Sequence, residues 1–203
     1  MKIEEAFFII KNKLFIERNF TMSISNKIDA FLETQFGNSE TSVFRDLTLN
    51  FKKIMEDSAL EPTERFMNAL AIGKTLHWTA LVEMASIELK ELGLEDAQIQ
   101  ECKESAAIMG MLNTYYKFKG FLSAEVLADT AYQRAGLRMN SLSKPVNGKE
   151  KFEMMAMSVS VVNGCPTCVS SHEKALTDIG VSRDKIHDLA RLASVTKGLS
   201  ALL

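Results

Sequence analysis

Two cysteines three residues apart, with a histidine four residues beyond the second, stand in Asn163-Gly164-Cys165-Pro166-Thr167-Cys168-Val169-Ser170-Ser171-His172-Glu173. Thiols at this spacing can close a short disulfide, and on a helix the histidine returns to the cysteine face, so three reactive groups converge. Asn163-Gly164 reads as a helix break. Cys165 then falls at or near an N-cap and Pro166 at the first helical position, where a missing N–H costs nothing and φ is already set. Unpaired N–H groups and the positive end of the helix dipole favour an anion at that place and lower a thiol's pKa. Cys168 and His172 fall about 6 Å apart along the helix axis, so the imidazole can take or share the thiol proton, directly or through water. Cys165, one turn back, is placed to resolve an oxidised Cys168. The chemistry these types and spacings support is a thiol redox cycle.

The elements that must hold this stretch are helical. Of 203 residues, 46% are apolar, with three prolines, ten glycines and no convincing strand pattern, which predicts a single all-α domain large enough to bury a core. The formal charge of −2 offers no basic patch for nucleic acid and no cationic run for a membrane surface. The run Ala6-Phe7-Phe8-Ile9-Ile10 is preceded by Glu4 and Glu5 and followed by Lys11 and Lys13, so it reads as no signal peptide. Nothing approaches the roughly 18 consecutive apolar residues of a spanning helix. The expectation is a cytoplasmic protein, in which a close cysteine pair is catalytic or redox-sensing rather than a permanent staple.

Residues 1–18 read as a short amphipathic helix within an N-terminal extension, residues 1–21, ahead of a domain over residues 22–203; Met22 is a candidate alternative start. Apolar spacing of three and four then predicts helices over residues 26–36, from Phe44 to near Ser58, from Pro62 to about Leu92 as one long stretch capped by Gly93, and from Asp96 to about Tyr116. Residues 121–148 read as looser, with Gly136, Pro145 and the Asn147-Gly148 turn signal. Helices over 149–162, from Pro166 to about Asp178, and from Ser182 onward complete the chain, making residues 149–203 the redox half.

Sliding the chain by 87 residues lays Gly93 on Gly180, Met67 on Met154, Ala69 on Ala156, Ile72 on Val159, Leu89 on Leu176 and Ile99 on Ile186. The pattern predicts two copies of one helical unit. Opposite the reactive residues the slide sets Trp78 (for Cys165), Leu81 (for Cys168), Ala85 (for His172) and Phe66 (for Glu153). One half packs; the other carries chemistry. Two helices joined by so short a turn run antiparallel. Glu153 lies roughly 15 Å back from the break and His172 roughly 12 Å forward at the helical rise. On the residues alone two readings of Glu153 stand. It is a solvated first-turn glutamate favoured by the helix dipole, or a carboxylate that orients His172 through a bridging water.

The redox stretch, with Glu153 twelve residues before Cys165, resembles the alkylhydroperoxidase D family of the carboxymuconolactone decarboxylase superfamily. Two upstream segments carry the likeness further: Ala106-Ala107-Ile108-Met109-Gly110-Met111-Leu112-Asn113-Thr114-Tyr115-Tyr116 and Gly136-Leu137-Arg138-Met139-Asn140. It is dense over residues 105–203, thinner over 62–104, loose over 22–60 and absent before that. The resemblance implies an all-α fold with an internal duplication and a homotrimer or higher homo-oligomer. It implies a peroxidatic Cys168, a resolving Cys165 and a proton relay through His172 and Glu153. The implied cycle runs through a sulfenic acid on Cys168 and the Cys165–Cys168 disulfide. Its reductant is external dihydrolipoamide on a lipoyl-bearing acyltransferase, and a partner peroxiredoxin is a further electron acceptor; no tightly bound cofactor and no metal are implied. One departure is Thr167, where the family prototype has a histidine; a hydroxyl passes on a hydrogen bond but holds no proton near neutral pH.

Other readings are weaker. His172 with the two cysteines makes only three zinc ligands, and Cys102 reads as a small buried hydrophobe. His77, beside Trp78, reads as a core histidine and His187 as a surface one. The eleven methionines read as core filling, and pairs such as Glu88 and Lys90 as solvated faces. Three classes of function follow: a thiol peroxidase acting on alkyl hydroperoxides, an electron-transfer adaptor serving a peroxiredoxin, and a decarboxylase-like enzyme, which has no need of two thiols. A non-catalytic redox sensor is the plainest alternative.

Overall fold

Caps and breakers divide the chain largely as its pattern predicts. The computed structural model describes residues 23–37, 39 and 41–203; the expectations for residues 1–21 and for Met22 lie outside that range. Helix α1 spans Ile24–Phe36, with the Ser23 hydroxyl accepting from the Asn26 N–H, and α2 spans Ser42–Glu56, capped by Thr41. Next come α3 (Pro62–Thr75), opened by a Glu61/Glu64 capping box, α4 (Thr79–Glu91) and the long α5 (Asp96–Gly120), opened by a Glu95/Gln98 box. The looser region holds α6 (Ala124–Leu127) and two 3₁₀ turns, Thr130–Tyr132 and Asn140–Ser143. The chain ends in α7 (Gly148–Asn163), α8 (Pro166–Asp178) and α9 (Arg183–Ser200). Among the described residues there is no strand, and no helix is long and apolar enough to cross a membrane.

One expected element is divided. Residues 62–92 form two helices, because the chain turns back at His77, which adopts a left-handed φ of 57°. No glycine or proline marks this break, so local pattern passes over it; α4 instead folds onto α3 where Gly73 leaves room. A Cβ on Gly73 would stand 3.1 Å from Leu81 Cγ. His77 itself is exposed rather than in the core, since the left-handed turn points it outward. Glu88 is also not solvated: it is buried and takes a hydrogen bond from Lys27, while Lys90 pairs with Asp96 at the surface. His187 is exposed and Cys102 buried, as read from the sequence.

The 87-residue repeat is present helix by helix. Thr79 and Glu91 bound α4 as Pro166 and Asp178 bound α8, and α5 and α9 begin at the equivalent Asp96 and Arg183. Turn geometry repeats too. His77 (φ 57°) matches Gly164 (φ 62°), and Gly93 (φ 88°) matches Gly180 (φ 90°). The Trp78 N–H donates to Gly73 O as the Cys165 N–H does to Ser160 O. Packing is reciprocal: α3 lies against α7, α5 against both α3 and α7, and α9 against both α7 and α3. That is the pattern of a two-fold relation between the repeats. Glu64 and Lys151 occupy equivalent positions 87 residues apart and bond to each other, so they straddle this axis.

Their ion pair is buried on the glutamate side, where Lys185 also donates to the carboxylate. Burial alone would raise the Glu64 carboxyl, but hydrogen bonds from Lys151, the Glu61 N–H and Lys185 outweigh it and hold the group below its ordinary range. Around the axis the core is apolar, with Phe66, Met67, Leu70, Ile72, Met154, Met155, Val159 and Leu192 at or near zero exposure. At about 25 cal/mol per Å² of apolar surface removed from water, burial of this kind is the main drive holding the two repeats together.

Candidate active site

Gly164 ends α7 in the left-handed conformation (φ 62°, ψ 48°), and the chain re-enters a helix at once, with Cys165 as N-cap and Pro166 at the first position. No side chain caps this helix start, so the first-turn N–H groups of α8 have no side-chain acceptor there. Cys165 and Cys168 are joined by a disulfide across one turn, with Cα atoms 5.3 Å apart. Both are buried, at 1% and 6% exposure. The Val169 N–H donates to Cys165 O at 3.0 Å, which closes the first turn around the pair.

His172, one turn beyond Cys168, meets Glu153 directly: Nδ1 lies 2.7 Å from Glu153 Oε2. The sequence suggested a bridging water. The helices pack closely enough across the Gly164 turn that the side chains cover the offset themselves. With the carboxylate ionised, the shared proton sits on Nδ1 and leaves Nε2 with a free lone pair. Both side chains keep partial exposure, 16% and 20%. Thus Cys165, Cys168, His172 and Glu153 gather at one place, brought there by α7 and α8 alone. Among the described residues no group of three or more His, Cys, Asp or Glu side chains is arranged to hold a metal ion.

Above the disulfide opens a cavity of about 300 Å³ lined by Met109, Leu112, Asn113 and Tyr116 of α5, Met139 and Leu142 of the looser region, and Thr167, Cys168, Ser171 and His172 of α8. Cys168 rather than Cys165 faces it. The wall from α5 and the looser region escaped sequence reasoning, which counts Met109 and Leu112 as core stripe. The available signal was the likeness of segments 106–116 and 136–140, whose residues now appear as the cavity's sides. Asn113 ties wall to floor: its amide donates to Ser160 Oγ at 2.9 Å and its carbonyl accepts from Asn163 Nδ2 at 2.9 Å.

The third cysteine stands apart. Burial, with Glu101 nearby, pushes the Cys102 thiol up to about 12, and its sulfur contacts Gln98 O within the helix. Such a thiol is inert at neutral pH.

Residues 128–203 match the model of the carboxymuconolactone decarboxylase family. The chain is 36% identical to the alkyl hydroperoxide reductase AhpD of Anaeromyxobacter dehalogenans over 74% of its own length and 79% of the relative's. It is 32% identical to the AhpD of Coxiella burnetii, covering 77% and 88%, and 35% identical to that of Mycolicibacterium smegmatis, covering 78% and 87%. The chain belongs to the AhpD family. The matched region of the family model takes in the whole of α7, α8 and α9, hence all four converging residues. AhpD relatives also align across most of the first repeat, as expected if the duplicated unit, and not the redox stretch alone, is the inherited object.

Proposed function

We propose that this protein is a thiol peroxidase that reduces alkyl hydroperoxides through a Cys165–Cys168 disulfide cycle. The observation that carries the reading is the juxtaposition of Cys168 and the Glu153–His172 pair at the floor of an apolar cavity large enough for an organic chain. In this reading Nε2 of His172 takes the proton of Cys168, and the thiolate attacks the terminal peroxide oxygen of ROOH. The O–O bond breaks, Cys168 becomes a sulfenic acid, and the imidazolium returns its proton to the departing alkoxide as ROH. The Cys165 thiolate then attacks the Cys168 sulfur, forming the disulfide and, with one proton, releasing water. Two electrons and two protons from dihydrolipoamide restore the dithiol and leave lipoamide. Glu153 keeps the imidazole in the required tautomer and stabilises its charged form.

The same reading includes a lipoyl-bearing acyltransferase as carrier of the reductant, a partner peroxiredoxin as further electron acceptor, and the cytoplasm as the reducing compartment in which such a cycle turns over. It includes a homo-oligomer, with a trimer as the expectation. Residues 121–150 support this: none of them is fully buried, and Phe121, Val126 and Val146 are exposed apolar side chains that a second copy would cover. Light scattering on the purified protein tests the assembly, and a monomer at micromolar concentration would contradict it.

Peroxide consumption with dihydrolipoamide as sole reductant tests the chemistry. Turnover by wild type, lost in both Cys168→Ser and Cys165→Ser, is the expected result. No peroxide turnover, with the disulfide still reduced by dihydrolipoamide, would move the function to the peroxiredoxin adaptor. Thr167 lines the cavity beside Cys168, so Thr167→His places a second titratable group there and is expected to raise turnover near neutral pH; equal efficiency would rule out a relay limited at that position.

A further inference from the structure

The negative end of one helix abuts the thiols of the next. The last carbonyls of α7 carry the partial negative charge of that helix terminus, and they immediately precede Gly164 and Cys165. Left bare, they oppose a thiolate at the start of α8. Two lysines from different helices occupy them. Lys117 Nζ of α5 donates to Asn163 O at 3.2 Å, and Lys197 Nζ of α9 donates to Val162 O at 2.8 Å.

The first repeat supplies an internal control. Its α3–α4 junction has a left-handed residue at the same place, His77 for Gly164, and the same N–H to carbonyl closure. Among the described residues, no side chain donates to Thr75 O or Leu76 O, the counterparts of Val162 O and Asn163 O. The counterpart of Lys197 is Gly110, and Lys117 lies in the part of α5 that continues past Asn113, the counterpart of the last residue of α9. Among the described residues the first turn therefore forms with no side-chain donor on those two carbonyls, although Lys74 stands in the last turn of α3, whereas at the thiol junction lysines from α5 and α9 are bonded to them.

We propose that Lys117 and Lys197 are positioning residues that act through the α7 carbonyls to favour the thiolate of Cys168 and to make the Cys165–Cys168 disulfide easier to reduce. The reaction affected is ordinary exchange: a dithiol reductant gives two electrons and two protons, the S–S bond breaks, two Cys thiols form, and the reductant closes to its own disulfide. Stabilising the thiolate of the reduced form shifts that equilibrium toward reduction. The inference rests on the pair cycling between disulfide and dithiol, but not on peroxide being the oxidant. The titratable and charged groups around the thiols are His172 on α8, Glu153 on α7, Tyr116 and Lys117 on α5, and Lys197 on α9. Glu153 opposes a thiolate, and its bond to His172 spends part of that charge, so the two ammonium groups set the balance.

The test uses the full reduced chain with Cys165→Ser to isolate Cys168, measuring iodoacetamide alkylation rate against pH with site assignment by mass spectrometry. Cys102, buried and with a thiol near pKa 12, stays silent. Lys117→Met/Lys197→Met is expected to move the midpoint of the profile up by about one pH unit, a roughly tenfold loss of thiolate below the midpoint. Lys117→Met accounts for the larger share, because Lys117 is the less exposed of the two. Lys117→Arg/Lys197→Arg is expected to keep the wild-type midpoint. With both cysteines present, equilibration against a lipoate/dihydrolipoate buffer should show the double Met variant holding its disulfide about tenfold more firmly. Should the Met variant fail to fold, the wild-type midpoint in 20 mM and 500 mM salt supplies the reading: a rise supports screened cations at the site. An unchanged midpoint in a folded Met variant, or across salt in wild type, would overturn the proposal.

Discussion

Trp78 and Cys165 stand at the same place in two copies of one helical unit, and almost everything that distinguishes the halves follows from what each junction is asked to hold. At the first, Trp78 is buried against Phe31 and Phe36 of α1, and its indole N–H donates to Gln35 Oε1 at 3.0 Å. Leu81 fills the space over Gly73. At the second, Ser160 and Cys168 replace Gly73 and Leu81, so the bulk removed from the helix start is returned across the contact. Phe66, fully buried, becomes Glu153, and Ala85 becomes His172. The long α5 passes over α8 with a cavity between, where α1 meets α4 through the aromatic contacts on Trp78 and the bonds from Lys27 to Glu88 and Glu91. A duplicated scaffold lets one copy supply stability while the other keeps polar and reactive groups that a packed core would reject.

Exchanging residues between the halves breaks this comparison most strongly at the thiol. Cys168→Leu is expected to abolish peroxide turnover and, relative to Cys168→Ser, to cost about 1–3 kcal/mol, because the leucine meets Ser160 where its counterpart meets a bare glycine. Adding Ser160→Gly relieves that overlap but gives up the hydrogen bond from Asn113, so it should recover part of the melting temperature and none of the turnover; a double variant less stable than Cys168→Leu alone would show that the leucine never met Ser160.

Next in size is the relay. His172→Gln is expected to lower turnover on the order of 10²-fold and Glu153→Gln by less, since the glutamate acts through the histidine. Steady-state rates across pH would read both. Equal rates in wild type and His172→Gln would remove His172 from the mechanism.

The axis between the halves gives a stability prediction with a defined sign. Because the folded protein holds Glu64 below the ordinary carboxylate range, the unfolded chain takes up that proton first as pH falls. The contribution is therefore present at neutral pH and lost from about pH 5 downward, through the folded-state value. Glu64→Gln should cost about 2 kcal/mol at pH 7, leaving Lys151 and Lys185 without their anion. Thermal melts from pH 7 to pH 3 should show a smaller loss on acidification for the variant, and parallel curves would contradict the assignment.

The smallest expected effect lies at the turns. His77→Gly should stabilise by up to about 1 kcal/mol, and Gly164→Ala should destabilise by about the same, because only glycine adopts a left-handed φ without penalty. Denaturant midpoints would resolve both, and a destabilising His77→Gly would show that the His77 side chain makes a contact worth more than the backbone penalty.

Much of this was legible beforehand for identifiable reasons. The all-α class, most helix limits, the repeat offset, the break at Gly164 and the N-terminal setting of Cys165 are local matters: apolar period, caps, and glycine or proline at points of unusual φ. These act over a few residues and leave their mark in the order of the chain. The bend at His77 left no such mark, because a residue without special backbone freedom was forced into the left-handed region by the packing of α4 on α3. Exposure of His77 and burial of Glu88 were misread on the same ground, since both depend on which neighbour arrives from far along the chain. Glu153 was found by spacing and family likeness, yet its direct bond to His172 depends on how closely two helices approach.

The sequence by itself determined that two thiols and an imidazole would share one helix face at the mouth of a helix, because a 3.6-residue period and a proline-led start admit no other arrangement of those residues. Only the tertiary structure decided that Cys168 would face a cavity, that α5 and residues 139–142 would wall it, and that Lys117 and Lys197 would converge on the carbonyls behind the disulfide. Contacts between residues 35 to 50 positions apart are set by the shapes of whole helices packed around a common axis; no local pattern records them.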